Sequence, residues 1–179
     1  MISKNWRNKI AYTLINRKVQ AKKRRSEFHN FQTAKKIGII WAADGTCSTE
    51  QIMKLRKKLE SIGLSVSVLA FCPLEETAEL LIRNFEFFTP KETGFFRLPK
   101  PGSIRSFLDK EYDILLDLSI IEQIPVQYIV ALSKATMKVG WSKSKYNYYD
   151  LMIDISKKPE CGFLIKQIKL YLDNINKEK

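Results

Sequence analysis

Lys36-Ile37-Gly38-Ile39-Ile40-Trp41-Ala42-Ala43, followed by Asp44-Gly45-Thr46 and, twenty residues on, by Leu64-Ser65-Val66-Ser67-Val68-Leu69-Ala70-Phe71, is the stretch that decides the fold. The first run is short and almost continuously apolar, which suits a strand buried on both faces. Between the runs, Ser48 or Thr49 can cap a helix reaching to about Ser61. Ile52, Leu55, Leu59 and Ile62 share one face of it, Lys54, Lys57 and Lys58 fall largely on the other, and Gly63 closes it. Leu64 to Phe71 alternates and then turns fully apolar. A strand, a helix and a second buried strand make a βαβ unit, whose product is a parallel sheet.

Outward from this unit the alternation continues. Leu74 to Asn84 reads as a helix and Phe85 to Phe88 as a short strand. Thr89 to Gly102 holds three of the six prolines and reads as a long surface loop around Gly94-Phe95-Phe96. Ser103 can cap a helix to Lys110, Tyr112 to Leu118 is a clear strand, and Pro125 suits the first turn of a helix burying Val126, Ile129, Val130 and Leu132. Ala135 to Trp141 and Tyr149 to Ile155 give two further strands, and Gly162 to Ile175 a closing amphipathic helix. The expected fold is α/β, a Rossmann-like, open and mostly parallel sheet with helices on both faces. It occupies residues 36–179 behind a basic amphipathic helical arm, residues 1–35.

Charge separates the two parts. The chain has 179 residues, with 31 Lys and Arg against 19 Asp and Glu, a net charge of +12. Residues 1–36 hold eleven bases and one acid, Glu27, and so supply ten of those twelve charges, leaving a core close to neutral. This asymmetry is expected of a protein that binds a polyanion or an anionic surface. Within the arm, Ile2, Trp6, Ile10 and Leu14 recur every four residues with Ala11 and Ile15 alongside, an apolar stripe if helical. From Arg17 to Arg25 (RKVQAKKRR) bases would point all round a helix, and Arg17, Lys18, Lys22, Lys23, Arg24 and Arg25 are the candidate phosphate contacts. Trp6, Ile10 and Leu14 have three readings: an ordinary docked helix, a partner-binding arm, or an in-plane membrane anchor.

In an open parallel sheet, ligands bind beyond the carboxyl ends of the strands, where strand order switches. Asp44 and Thr46, Asp117 and Ser119, and Asp154 fall there and are ligand candidates by position. The plain alternative for each is a loop turn or helix cap. Neither GxGxxG nor GxxxxGK[ST] nor GxSxG occurs, and the one histidine, His29, lies beside the arm. Asp113 and Asp117, four apart on a strand, stand about 13 Å from each other, too far for a dyad. No catalytic residue, cofactor or metal is indicated. Lys143, Lys145 and Tyr146 lie in a loop, Trp141 to Tyr149, that mixes bases with aromatics as single-strand-binding surfaces do. Alternatively its rings pack inside.

Cys47, Cys72 and Cys161 are odd in number, widely spaced and accompanied by one histidine, which argues against zinc. The apolar settings of Cys72 and Cys161 predict reduced, buried thiols. With no secretory leader pattern and no run of about 18 apolar residues, the expected location is the cytoplasm, possibly at a membrane surface.

Several segments together carry a resemblance: Arg24, Arg25, Ser26, Phe28, Asn30, Phe31 and Ala34 to Ile40; Tyr112 to Ser119 (YDILLDLS); Ala131 to Gly140 (ALSKATMKVG); and Tyr149 to Asp154 (YDLMID). Over nearly its whole length the chain resembles an uncharacterised family of small Bacteroidetes proteins. More loosely, the Tyr-Asp-apolar strand ending in Asp-Leu, a helix and then Lys-Val-Gly are similar to the amino-terminal Rossmann half of heptosyltransferase-like glycosyltransferases. That similarity implies the fold. In those enzymes the nucleotide-sugar site lies mainly in a second half that has no counterpart here.

The expected function is therefore non-catalytic polyanion binding, with structured RNA such as the ribosome as partner and the arm as the contact. Two alternatives stand beside it. One is a peripheral membrane protein held by the arm on an anionic surface. The other is a small nucleotide or nucleotide-sugar binding domain or enzyme using Asp44, Asp117, Ser119 and Asp154.

Overall fold

The computed structural model describes residues 4–74, 85–141, 144 and 146–174, with side chains from Trp6 onward. Its elements in chain order are α1 (Lys4–Gln20), β1 (Lys36–Ala42), α2 (Thr49–Ser61), β2 (Ser65–Phe71), β3 (Glu86–Phe88), α3 (Pro101–Leu108), β4 (Ile114–Asp117), α4 (Ile124–Leu132), β5 (Met137–Gly140), β6 (Leu151–Met152) and α5 (Cys161–Asn174). The six strands form one sheet in the order β3-β2-β1-β4-β5-β6. All neighbouring pairs are parallel. This is the strand order of the doubly wound dinucleotide-binding fold, with the switch in order between β1 and β4.

The central strands are apolar throughout because both their faces are covered. From Ile37 to Ala42 every residue of β1 is buried, and so is every residue of β4 and β5. On one face, Ile52, Leu55 and Leu59 of α2 and Leu164, Ile168 and Leu172 of α5 pack on Ile39, Trp41, Ile114, Leu116 and Val139. On the other, Ile104 and Phe107 of α3 and Val126, Ile129 and Val130 of α4 pack on Ile40, Ala42, Leu69 and Leu115. The edges are blunt: β3 has three residues and β6 two, which limits the unpaired backbone offered to other chains.

Helix boundaries follow local chemistry. Ser48 caps α2 through a reciprocal capping box with Gln51, and Gly63, with φ of 90°, ends it in the left-handed region that favours glycine. Pro101, not Ser103, opens α3, since a first-turn proline loses no hydrogen bond there. The expected loop from Thr89 to Gly102 contains a 3-10 turn (Pro90–Glu92) and an antiparallel bridge between Thr93 and Pro99. The helix expected at Leu74 to Asn84 lies, but for Leu74, outside the described residues.

One expectation is extended and two are corrected. The four residues expected to be buried on α4, Val126, Ile129, Val130 and Leu132, are buried, and so is the rest of the helix, because α1 packs on its outer side while the sheet takes the inner one. The docked face of α1 is centred on Ala11 and Ile15, read from the sequence as lying alongside the stripe, with Tyr12 and Val19, and not on Trp6, Ile10 and Leu14. Ile10 and Leu14 are half-buried and Trp6 is 47% exposed. Small Ala11 allows close approach to α4, and Tyr12 stacks on Tyr146 with centroids 4.2 Å apart while its hydroxyl donates to Glu122. Finally, Cys47 and Cys161 form a disulfide across 114 residues, so the thiol expectation holds for buried Cys72 alone. Folding sets the loop after β1 against the start of α5, a proximity with no trace in the cysteine spacing.

Candidate functional site

At the carboxyl ends of the strands, the five candidate residues fall into separate local networks. Asp44 Oδ1 accepts from the backbone N–H of Thr46 at 3.1 Å and from its hydroxyl at 2.6 Å. Asp154 Oδ1 accepts from Ser156 N–H at 2.8 Å on an exposed turn. Asp117 and Ser119 do come together, at the switch point itself. Ser119 N–H donates to Asp117 Oδ1 at 2.9 Å, and Ser119 Oγ accepts from Ala42 N–H at 3.0 Å, tying β4 to β1. Asp117 is 1% exposed and accepts the Tyr149 hydroxyl at 2.7 Å, which in turn accepts from Gln127 Nε2 at 2.7 Å. Burial pushes the Asp117 carboxyl up to about 6 against these hydrogen bonds. The pair acts as a strut beneath α4.

The opposite edge of the sheet is concave. A cleft of about 610 Å³ opens at the amino ends of β4, β5 and β6 and beneath the end of α4. Lys22, Lys23, Arg24 and Arg25 line it from the segment after α1, Lys134 from the turn after α4, and Lys138 from β5. Those four arm bases do not sit on a helix, as the sequence pattern implied. Helix α1 ends at Gln20, and the chain beyond it passes the amino end of β5 without regular structure, Glu27 N–H donating to Thr136 O at 3.1 Å.

Arg24 anchors this segment. Its guanidinium donates to the carbonyls of Ala135 and Thr136, both at 2.8 Å, and to Asp150 Oδ1 at 2.5 Å. Asp150 also accepts from Ser26 Oγ and from Lys138 N–H, each at 2.8 Å. Burial raises its carboxyl, but these partners outweigh it and hold the group below the ordinary carboxylate range. Asp113 is likewise committed, accepting Lys35 N–H at 2.6 Å and Lys36 N–H at 2.8 Å. Lys138, 3% exposed, donates to Ala131 O at 3.0 Å, a cation at the negative end of α4. Burial first, then Arg24 and Lys22, push its ammonium down to about 7, with Asp150 opposing.

The remaining candidates stand elsewhere. Arg17 is exposed on α1, and Lys18 donates to the Tyr128 hydroxyl at 3.2 Å. Lys143 and Lys145 lie outside the described residues. The rings of the Trp141 to Tyr149 loop turn inward: Trp141 and Tyr149 are buried, Tyr146 stacks on Tyr12, and the Tyr148 hydroxyl donates to Asn16 at 2.7 Å. Sequence reasoning missed Lys134, Lys138 and Asp150. The one available signal was Lys138, a lone base inside the apolar run Ala135 to Trp141.

The profile of a family of unknown function (DUF6913) matches residues 7–175. The chain belongs to that family. No curated protein matches it. Among solved structures this DUF6913 chain is similar to an exopolyphosphatase-related protein from Bacteroides fragilis, with 18% identity and a TM-score of 0.49 over 79% of this chain and 41% of that one. It thus spans about two fifths of that protein's length, and the likeness is too distant to bear on function. No helix among the described residues is long and apolar enough to cross a membrane.

Proposed function

We propose that this protein binds a polyanion, structured RNA, on the face where the basic segment after α1 meets the ends of α4 and β5. The observation behind this reading is the convergence of six bases from three parts of the chain on one cleft, while Asp113 and Asp150 are taken up by backbone N–H groups and Arg24. Those two carboxylates therefore have little capacity left, which leaves Glu111 against the four exposed bases Lys22, Lys23, Arg25 and Lys134, of which among the described residues Arg25 alone has an ion-pair partner, Glu27 at 2.9 Å. Such a surface attracts phosphates through counterion release.

With Arg17 and Lys18 added to those four, six contacts give a slope on the order of −4 to −5 for log affinity against log salt. The test is fluorescence anisotropy of a structured RNA over a salt series, using the full chain and a Lys22→Ala, Lys23→Ala, Arg25→Ala variant. Affinity falling at low salt, with a slope shallower by about 2 to 3, is expected. An unchanged slope removes the reading. Binding to anionic vesicles but not RNA would assign the same face to a membrane surface.

A further inference from the structure

Of the bases that line the cleft Lys138 alone is buried, which marks its inner end, while the others are exposed or half-buried. Lys138 lines it at 3% exposure, and of the three donors of its ammonium the described structure engages one, on Ala131 O. Lys22 and Lys134 line the same cleft with no hydrogen-bond or ion-pair partner for their ammonium groups among the described residues. Burial and its basic neighbours disfavour the charge on this group and Asp150 alone among the named groups supports it, so an anion that takes up the two idle donors would stabilise the ammonium.

We infer that the inner end of the cleft seats a terminal phosphate, the phosphomonoester at the 5′ end of an RNA, on the Lys138 ammonium with Lys22 and Lys134 beside it. This rests on the polyanion reading and specifies which part of the RNA enters. A phosphodiester is flanked by two sugars and stays at the rim, where Lys23 and Arg25 stand. A phosphomonoester has three free oxygens, approaches two negative charges near neutral pH, and is compact enough to enter alone.

The charged groups that face Lys138 set the pH dependence. Arg24 and Lys22 from the arm repel its proton and Asp150 before β6 retains it. Lys134 after α4 and Glu111 and Asp113 before β4 share the cleft with it. The free amine loses its proton above about pH 7, so seating a dianion there requires proton uptake, and the preference for a phosphate end falls as pH rises from 7 to 9.

The test compares one tailed RNA hairpin carrying either a 5′-phosphate or a 5′-hydroxyl, titrated with the full chain by anisotropy at constant salt. Preference for the phosphate end of about tenfold at pH 7 is expected, fading by pH 9. Lys138→Met should abolish that ratio. Should that variant fail to fold, exposed Lys134→Ala tests the same ratio and is expected to shrink it. Equal binding of the two RNAs by the native chain overturns the inference and leaves RNA binding intact. Binding of neither overturns the RNA reading and this inference together.

Discussion

The ring of Tyr149 lies against Gly140 so closely that a Cβ at position 140 would stand 2.5 Å from Tyr149 Cε1. The glycine lets a tyrosine rooted before β6 cross β5 and reach Asp117 on β4, where its hydroxyl donates at 2.7 Å. Gly140→Ala should force the ring aside and break that bond. A loss of about 1–3 kcal/mol in urea unfolding is expected, as for overpacking in a tight core. Unchanged stability would mean the ring has room to move that the structure does not show.

Asp117 should make stability depend on pH in the acid range. Burial raises its native carboxyl to about 6, so between about pH 4 and 6 the folded chain keeps a proton that the unfolded chain has lost. The stabilisation from that proton is complete only below the unfolded carboxyl's own range, under about pH 3, and is lost as pH climbs through 6. Relative to Asp117→Asn, the native chain should lose about 2 kcal/mol between pH 4 and 7 in denaturant titrations. Parallel profiles for the two proteins would show a carboxyl that titrates normally.

Reduction should weaken the fold. The Cys47–Cys161 bond closes a loop of over a hundred residues, and bonds of this kind contribute about 2–5 kcal/mol, chiefly by restricting the unfolded chain. Unfolding with and without dithiothreitol should differ by that amount in the native chain and not at all in Cys47→Ser. A native chain indifferent to reductant would mean the pair does not bond in solution.

Arg24→Ala should release the basic segment rather than the core. It removes donors from the Ala135 and Thr136 carbonyls and leaves Asp150 with Ser26 Oγ and Lys138 N–H. A cost of about 1.5–3 kcal/mol is expected, with hydrogen exchange rising first at Glu27 N–H, which bonds Thr136 O. Exchange that rises equally across β1 and β4 would show instead that Arg24 supports the whole domain.

The fold was largely legible because its signals are local. The apolar run of β1, the Ser48 cap, the face of α2 and Pro125 at the start of α4 each announce an element from a few neighbouring residues. The strands read from the sequence ran long: Tyr149 to Ile155 became two residues of β6, since Asx turns at Asn147 and Asp154 and the short reach of β5 limit the ladder. The candidate site was legible only in its sign of charge. Lys22 to Arg25 were marked as anion contacts, but Arg24 is spent on backbone carbonyls and Asp150, and the rings of Tyr146 and Tyr148 are engaged by Tyr12 and Asn16.

By itself, then, the sequence determined a parallel α/β sheet and a strongly cationic amino-terminal segment, because periodicity, capping and charge are properties of adjacent residues. Only the tertiary structure decided which face of α1 docks, that Cys47 meets Cys161, and that the concave basic surface forms at the amino edge of the sheet. Those outcomes depend on partners far apart in the chain, Arg24 and Asp150 being separated by 126 residues, and on burial, which leaves Lys138 with idle donors and makes its ammonium easier to deprotonate than an ordinary lysine's.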